Sequence, residues 1–233
     1  MTRAKADKLT ISMDKDVRVS ALLDAPKDAR AALAFAHGAG AGMEHPFMAE
    51  IAAGMATRGI ACLRYQFPYM EKGGKRPDPP KLAQATVRAA VATLGQRLPG
   101  LPLFAGGKSF GGRMTSQAQS ESPLSGVRGL AFFGFPLHQA GKPSRTRGDH
   151  LFAVKLPMLF LQGTRDSLAA LTELEPLCRD LGKRATLRIF DQADHSFHVP
   201  AKSGRTDAEI RQAMLDDFEV WTDAVIRQKS AKS

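Results

Sequence analysis

The sequence predicts an α/β fold, with a mostly parallel central sheet flanked by helices. Three observations carry that expectation. Short apolar runs bounded by Gly and Pro recur along the 233 residues. Stretches with helical spacing separate them, and most of the runs are apolar throughout, as strands covered on both faces must be. At the start of the chain, residues 8–12 and 17–23 instead alternate, with Val17, Val19, Ala21 and Leu23 on one face, so these two strands are expected to pair antiparallel. Residues 31–36 (AALAFA) form the next run and end at His37. A helical stretch around 46–58 leads into 60–65 (IACLRY), and one around 81–97 leads into 103–106 (LFAG). Further buried-type runs fall at 129–135, 157–162 and 186–190. A last helix is expected over 207–228, where Ile210, Met214, Phe218 and Trp221 recur at helical spacing and read as core.

Length and composition bound the rest. With 43% hydrophobic and 24% charged residues, the chain has the make-up of an ordinary globular protein, not of a disordered or fibrous one. A chain this long buries roughly 70% of its unfolded surface, enough for a core without a metal or disulfide staple. One domain over 1–233 is expected, with 227–233 (RQKSAKS) a frayed tail. The most linker-like stretch, 71–80 (EKGGKRPDPP), lies between a strand and a helix and reads as a surface loop. Only Cys62 and Cys178 are present, both in apolar contexts, which points to a reducing compartment. No run of 18 apolar residues could span a membrane, and MTRAKADKLT lacks the apolar core of a secretory signal, so a cytoplasmic location is expected. The six histidines show no metal-ligand spacing.

The informative segment is 103–114 (LFAGGKSFGGRM): a strand, a Gly-rich turn, then a helix. Within it Gly107-Lys108-Ser109-Phe110-Gly111 has the G-x-S-x-G pattern of a nucleophile elbow. Such a turn is strained and exposes the serine Oγ, and side chains two residues either side would strike neighbouring backbone, hence the glycines. Two other readings fail. A phosphate-binding P-loop ending in Gly107-Lys108-Ser109 needs glycine where Pro102 stands, and a dinucleotide fingerprint in His37–Met43 lacks its third glycine in both registers. The His37-Gly38-Ala39-Gly40 segment instead fits a loop whose backbone amides approach a developing oxyanion. One donor would be the Phe110 amide and the other that of Ala39 or a loop neighbour.

A serine nucleophile needs a base, and the base an orienting acid. Asp166 follows the strand 157–162, and His195 follows 186–190, so the order is Ser109, Asp166, His195, each at a strand end. His198 is a competing base three residues further on, and Asp194 is expected to shape the turn before His195.

These residues make the chain resemble the α/β-hydrolase superfamily. More narrowly, it resembles small serine hydrolases of the testis-expressed-protein type and the dienelactone-hydrolase-like group. The matching segments run from HGAGAGMEHPFM (37–48) through GGKSFGGRM (106–114) and LQGTRD (161–166) to DHSFHVP (194–200). The resemblance implies an α/β-hydrolase fold, with Ser109 as nucleophile, Asp166 as acid and His195 as base. Dienelactone hydrolases carry cysteine where this chain carries Ser109. The implied activity is hydrolysis of a small ester or thioester with no cofactor; the other reading is a catalytically inactive hydrolase-fold scaffold. The 21 residues of 136–156 are too few for a large lid domain, so an open site is expected.

The charge of +10, from 33 Lys and Arg against 23 Asp and Glu, first admits nucleic acid as a partner. Aromatics are only 7% and show no stacking motif, which argues against that. Residues 64–113 net +7 and residues 138–155 net +3. Lys108, Arg113, Lys142, Arg145 and Arg147, with Lys72, Lys75 and Arg76, fall in loops at the expected ligand-binding edge. The first five are therefore expected to contact an anionic small-molecule acyl substrate.

Overall fold

The computed structural model describes residues 6–13 and 17–230. Eight strands form one sheet: β1 (Asp7–Ser12), β2 (Arg18–Asp24), β3 (Ala31–Ala36), β4 (Ile60–Tyr65), β5 (Leu103–Lys108), β6 (Val127–Phe133), β7 (Met158–Gly163) and β8 (Ala185–Phe190). Their spatial order is β1-β2-β4-β3-β5-β6-β7-β8. β2 runs antiparallel to both β1 and β4, and every other neighbouring pair is parallel. This is the α/β-hydrolase fold.

Among the described residues six α-helices flank the sheet: α1 (Pro46–Ala56), α2 (Pro68–Glu71), α3 (Pro80–Arg97), α4 (Phe110–Glu121), α5 (Leu171–Leu181) and α6 (Asp207–Ser230). The pleat sorts β3 between two cores: Leu33 and Phe35 face α1 and α6, while Ala32, Ala34 and Ala36 face α3 and α4. Small residues on that second face let α4 sit close against the sheet at the point where β5 ends. On the first face Trp221 closes on Gly129, where a Cβ would lie 2.6 Å from the indole.

Two features depart from the sequence reading. Helix α5 is not among the elements expected from the sequence; Pro176 lies within it, and burial of Leu174, Leu177, Cys178 and Leu181 overrides the local penalty. Helix α6 continues through Ser230, so 227–230 extend it instead of fraying, while 231–233 and the first five residues lie outside the described residues. As expected, the connection between β6 and β7 holds only a 3₁₀ stretch, Thr146–Ala153, and among the described residues no large lid domain stands over the sheet edge.

Candidate functional site

In a parallel sheet all strands end on one edge, so the loops after β3, β5, β7 and β8 gather there. Ser109 follows β5 directly and sits at φ +49°, a conformation costly for a residue with a Cβ. The glycines around it are sterically required. A Cβ on Gly107 would lie 2.5 Å from the Ala36 carbonyl oxygen. One on Gly111 would lie 2.6 Å from both the Ala36 and His37 carbonyl oxygens. The turn therefore packs against the end of β3, which sets Ser109 beside the His37–Gly40 loop.

His195 Nε2 lies 2.8 Å from Ser109 Oγ, and its Nδ1 lies 2.7 Å from Asp166 Oδ2. Asp166 is buried, and its Oδ1 accepts the Leu168 amide at 2.8 Å. Its Oδ2 also accepts from Gln162 Nε2, while Gln162 Oε1 accepts the Phe135 amide at 3.0 Å. Nδ1–H···Oδ2 pairing leaves Nε2 unprotonated and able to accept from the serine hydroxyl. Asp194 holds the turn: its Oδ1 accepts the Ser196 and His198 amides at 2.7 and 3.0 Å. His198 points away, with Nδ1 3.0 Å from Asp207 Oδ2; hydrogen bonding to that carboxylate raises its pKa.

Neither the Phe110 nor the Ala39 amide donates a backbone hydrogen bond among the described residues. Groups that the sequence reading passed over anchor the Ala39 loop. Buried His37 donates from Nδ1 to the Gly38 carbonyl at 2.8 Å and accepts the Phe67 amide on Nε2 at 3.1 Å. Desolvation lowers its pKa to about 4, so it stays neutral and acts as a fixed two-way staple. Gln66 Oε1 accepts the Met43 amide at 2.9 Å from the other side of the loop.

Ser109 and Ala39 line two hollows. The smaller, about 180 Å³, is walled by Phe47, Met48, Lys108 and His195. The larger, about 400 Å³, is walled by Phe110, Pro136, Leu168, Arg113 and Arg147. The five cations expected at the site thus separate. Arg113 and Arg147 line the larger hollow. Lys108 is not a free surface cation: its Nζ donates to the His195 carbonyl at 2.5 Å and lies 5.4 and 5.9 Å from the Phe197 and Phe47 ring centres. Arg145 pairs with Asp180, and Lys142 is exposed on a turn closed by its amide to the Gln139 carbonyl. Neither lines a hollow that Ser109 shares. No group of three or more metal-ligating side chains occurs among the described residues, and no described helix is long and apolar enough to cross a membrane.

A strained serine at a strand end, hydrogen-bonded to a histidine that a buried carboxylate holds, is an arrangement suited to acyl transfer. The chain belongs to a known family: residues 29–223 match the family described as alpha/beta hydrolase domain. Among solved structures it is similar to the dienelactone hydrolase of Anabaena variabilis. The TM-score is 0.74 at 20% identity, covering 92% of this chain and 97% of that one. It is also similar to a Xanthomonas campestris protein described as an α/β serine hydrolase without a lid, with TM-score 0.72, 20% identity and coverage of 95% and 97%. A third is the esterase domain of a Rhodothermus marinus protein, with TM-score 0.71, 17% identity and coverage of 94% and 98%.

Proposed function

We propose that the chain hydrolyses small carboxylic esters or thioesters through an acyl-enzyme on Ser109. The observation that carries this reading is the unbroken line from Asp166 through His195 to Ser109, at 2.7 and 2.8 Å. His195 Nε2 takes the hydroxyl proton as Ser109 Oγ bonds to the acyl carbon. The carbonyl electron pair moves onto oxygen, where the Phe110 and Ala39 amides receive it. Loss of one such donor typically costs about 3–4 kcal/mol of transition-state stabilisation. Collapse breaks the bond to the leaving group, which takes the proton from His195. Water then attacks the acyl-enzyme with His195 again as base, releasing the acid and free Ser109. Asp166 keeps the imidazole in the required tautomer and stabilises its cation.

The dienelactone hydrolase and esterase names of the structural neighbours favour acyl chemistry, and Ser109 where dienelactone hydrolases carry cysteine favours an esterase or thioesterase. The narrower kinship with hydrolases of the testis-expressed-protein type rests on GGKSFGGRM. Cys62 and Cys178, buried and unbridged, favour a reducing, cytoplasmic setting. A fluorophosphonate probe tests the chemistry. Labelling of the wild type that Ser109→Ala abolishes, with loss of turnover on a small-ester panel, is the expected result. A folded wild type that neither labels nor hydrolyses any ester would instead be a hydrolase-fold scaffold.

A further inference from the structure

We infer that the larger hollow is an anion subsite for the acyl half of the substrate, so that the preferred substrates are monoesters or monothioesters of dicarboxylic acids. This rests on Ser109 being the nucleophile and names the substrate class for that site.

Two cations at this hollow are left without anions. Arg113 and Arg147 both line the hollow, and neither forms an ion pair among the described residues. Arg113 Nε is buried with no hydrogen-bond partner, while Arg147 uses Nη1 on the His138 carbonyl at 3.1 Å. Burial, and after it the charge of Arg147, depress the pKa of Arg113. Two guanidinium groups thus repel each other across a partly desolvated hollow, a cost that a bound carboxylate would reverse. The wall includes one carboxylate, Asp78, whose Oδ2 accepts the Tyr69 amide at 3.1 Å and which sits in the field of Lys72. The two arginines outnumber it.

Position supplies the rest. Arg113 stands four residues beyond Ser109, its amide donating to the Ser109 carbonyl at 3.1 Å. It therefore lies on the same helix face about one turn, ~5–6 Å, along α4, and helical side chains lean back toward the N-terminus. An anion held there stands a few methylenes from a carbonyl on Ser109. The two hollows then divide the substrate. The leaving group must collect a proton from His195, which lines only the smaller hollow. The acyl chain takes the other, arginine-lined side.

The test compares kcat/KM for monophenyl adipate and phenyl hexanoate, whose acyl chains match in length and differ in the terminal carboxylate. Wild type is expected to prefer the adipate, and Arg113→Gln to lower the adipate-to-hexanoate ratio by roughly tenfold or more, the loss expected for a charged hydrogen bond left unmade. Arg145→Gln removes the same unit of charge from the Asp180 pair and is expected to leave the ratio unchanged. A wild-type ratio near one, or equal falls in the Arg113→Gln and Arg145→Gln variants, overturns the subsite while fluorophosphonate labelling of Ser109 still stands. A folded wild type that is unlabelled and hydrolyses neither ester overturns the Ser109 reading and the subsite with it.

Discussion

Replacing Lys108 by methionine removes one charge from the middle of the site and exposes its energetic burden as a function of pH. Lys108 is partly buried between Phe47 and Phe197, and burial lowers its pKa from 10.5 to about 8, against the favourable pull of Asp166 and Asp194. The unfolded chain therefore holds this proton up to pH 10.5, whereas the folded chain releases it near pH 8. Between those values the unfolded state binds more protons, so the group's contribution makes stability rise with pH. Below pH 8 both states are protonated and the folded state carries the whole desolvation burden. At 1.36 kcal/mol per pK unit, moving from pH 7 to pH 10 should stabilise wild type relative to Lys108→Met by roughly 2–3 kcal/mol. Methionine keeps much of the length and tolerates aromatic neighbours, so the comparison isolates the charge. Urea unfolding at the two pH values measures it through Trp221, the only tryptophan and a buried one. Groups other than Lys108 cancel in the difference. A wild-type-minus-variant stability that stays flat from pH 7 to 10 would mean that the ammonium is solvated, and would refute the enclosure argued for it.

Two further substitutions probe the support of the site. Gly111→Ala places a methyl 2.6 Å from two backbone oxygens that belong to β3 and its loop, so neither can yield cheaply. A loss of about 1–3 kcal/mol, together with loss of fluorophosphonate labelling, is expected in thermal and labelling assays, and wild-type values for both would show that the elbow has room to move. Asp166→Asn keeps the shape but presents an amide to His195 Nδ1, so the imidazole turns its unprotonated nitrogen the wrong way. Turnover of a small ester should fall on the order of 10⁴-fold in kcat, and a fall below tenfold would remove Asp166 from the role proposed for it.

What could be read from the residues alone depended on range. Apolar runs report burial on both faces directly, so β3 to β8 and the antiparallel start were legible from AALAFA, IACLRY and their successors. Parallel strands share one end, so residues following different strands meet whatever their separation along the chain. That is why Ser109, Asp166 and His195 could be grouped in advance. Groups fixed by packing between distant segments were not legible. Gln162 reads as the polar end of a strand, yet it joins Asp166 to the Phe135 amide. His37 reads as the first residue of a Gly-rich turn, and only its contact with the Phe67 amide, thirty positions on, makes it a staple. Lys108 reads as a loop cation because nothing in G-x-S-x-G says that its side chain turns under the His195 carbonyl.

The same distinction governs the net charge. A total of +10 says nothing about where a field is available, because a cation beside a carboxylate contributes little beyond its partner. Arg64, inside the most basic window, is buried with Asp24 at 2.8 Å and gives its remaining reach to the Met43 carbonyl. Arg145 is paired with Asp180, and Lys108 is committed to a backbone oxygen. Once these are removed from the count, the cations that remain beside Ser109 without a carboxylate partner are Arg113 and Arg147, on one side of the serine only. An even surface charge would speed the arrival of any anion and lose that effect at high salt. Two arginines in one half-desolvated hollow instead select where the anion sits relative to the reacting carbonyl, which is a statement about substrate shape as much as about charge.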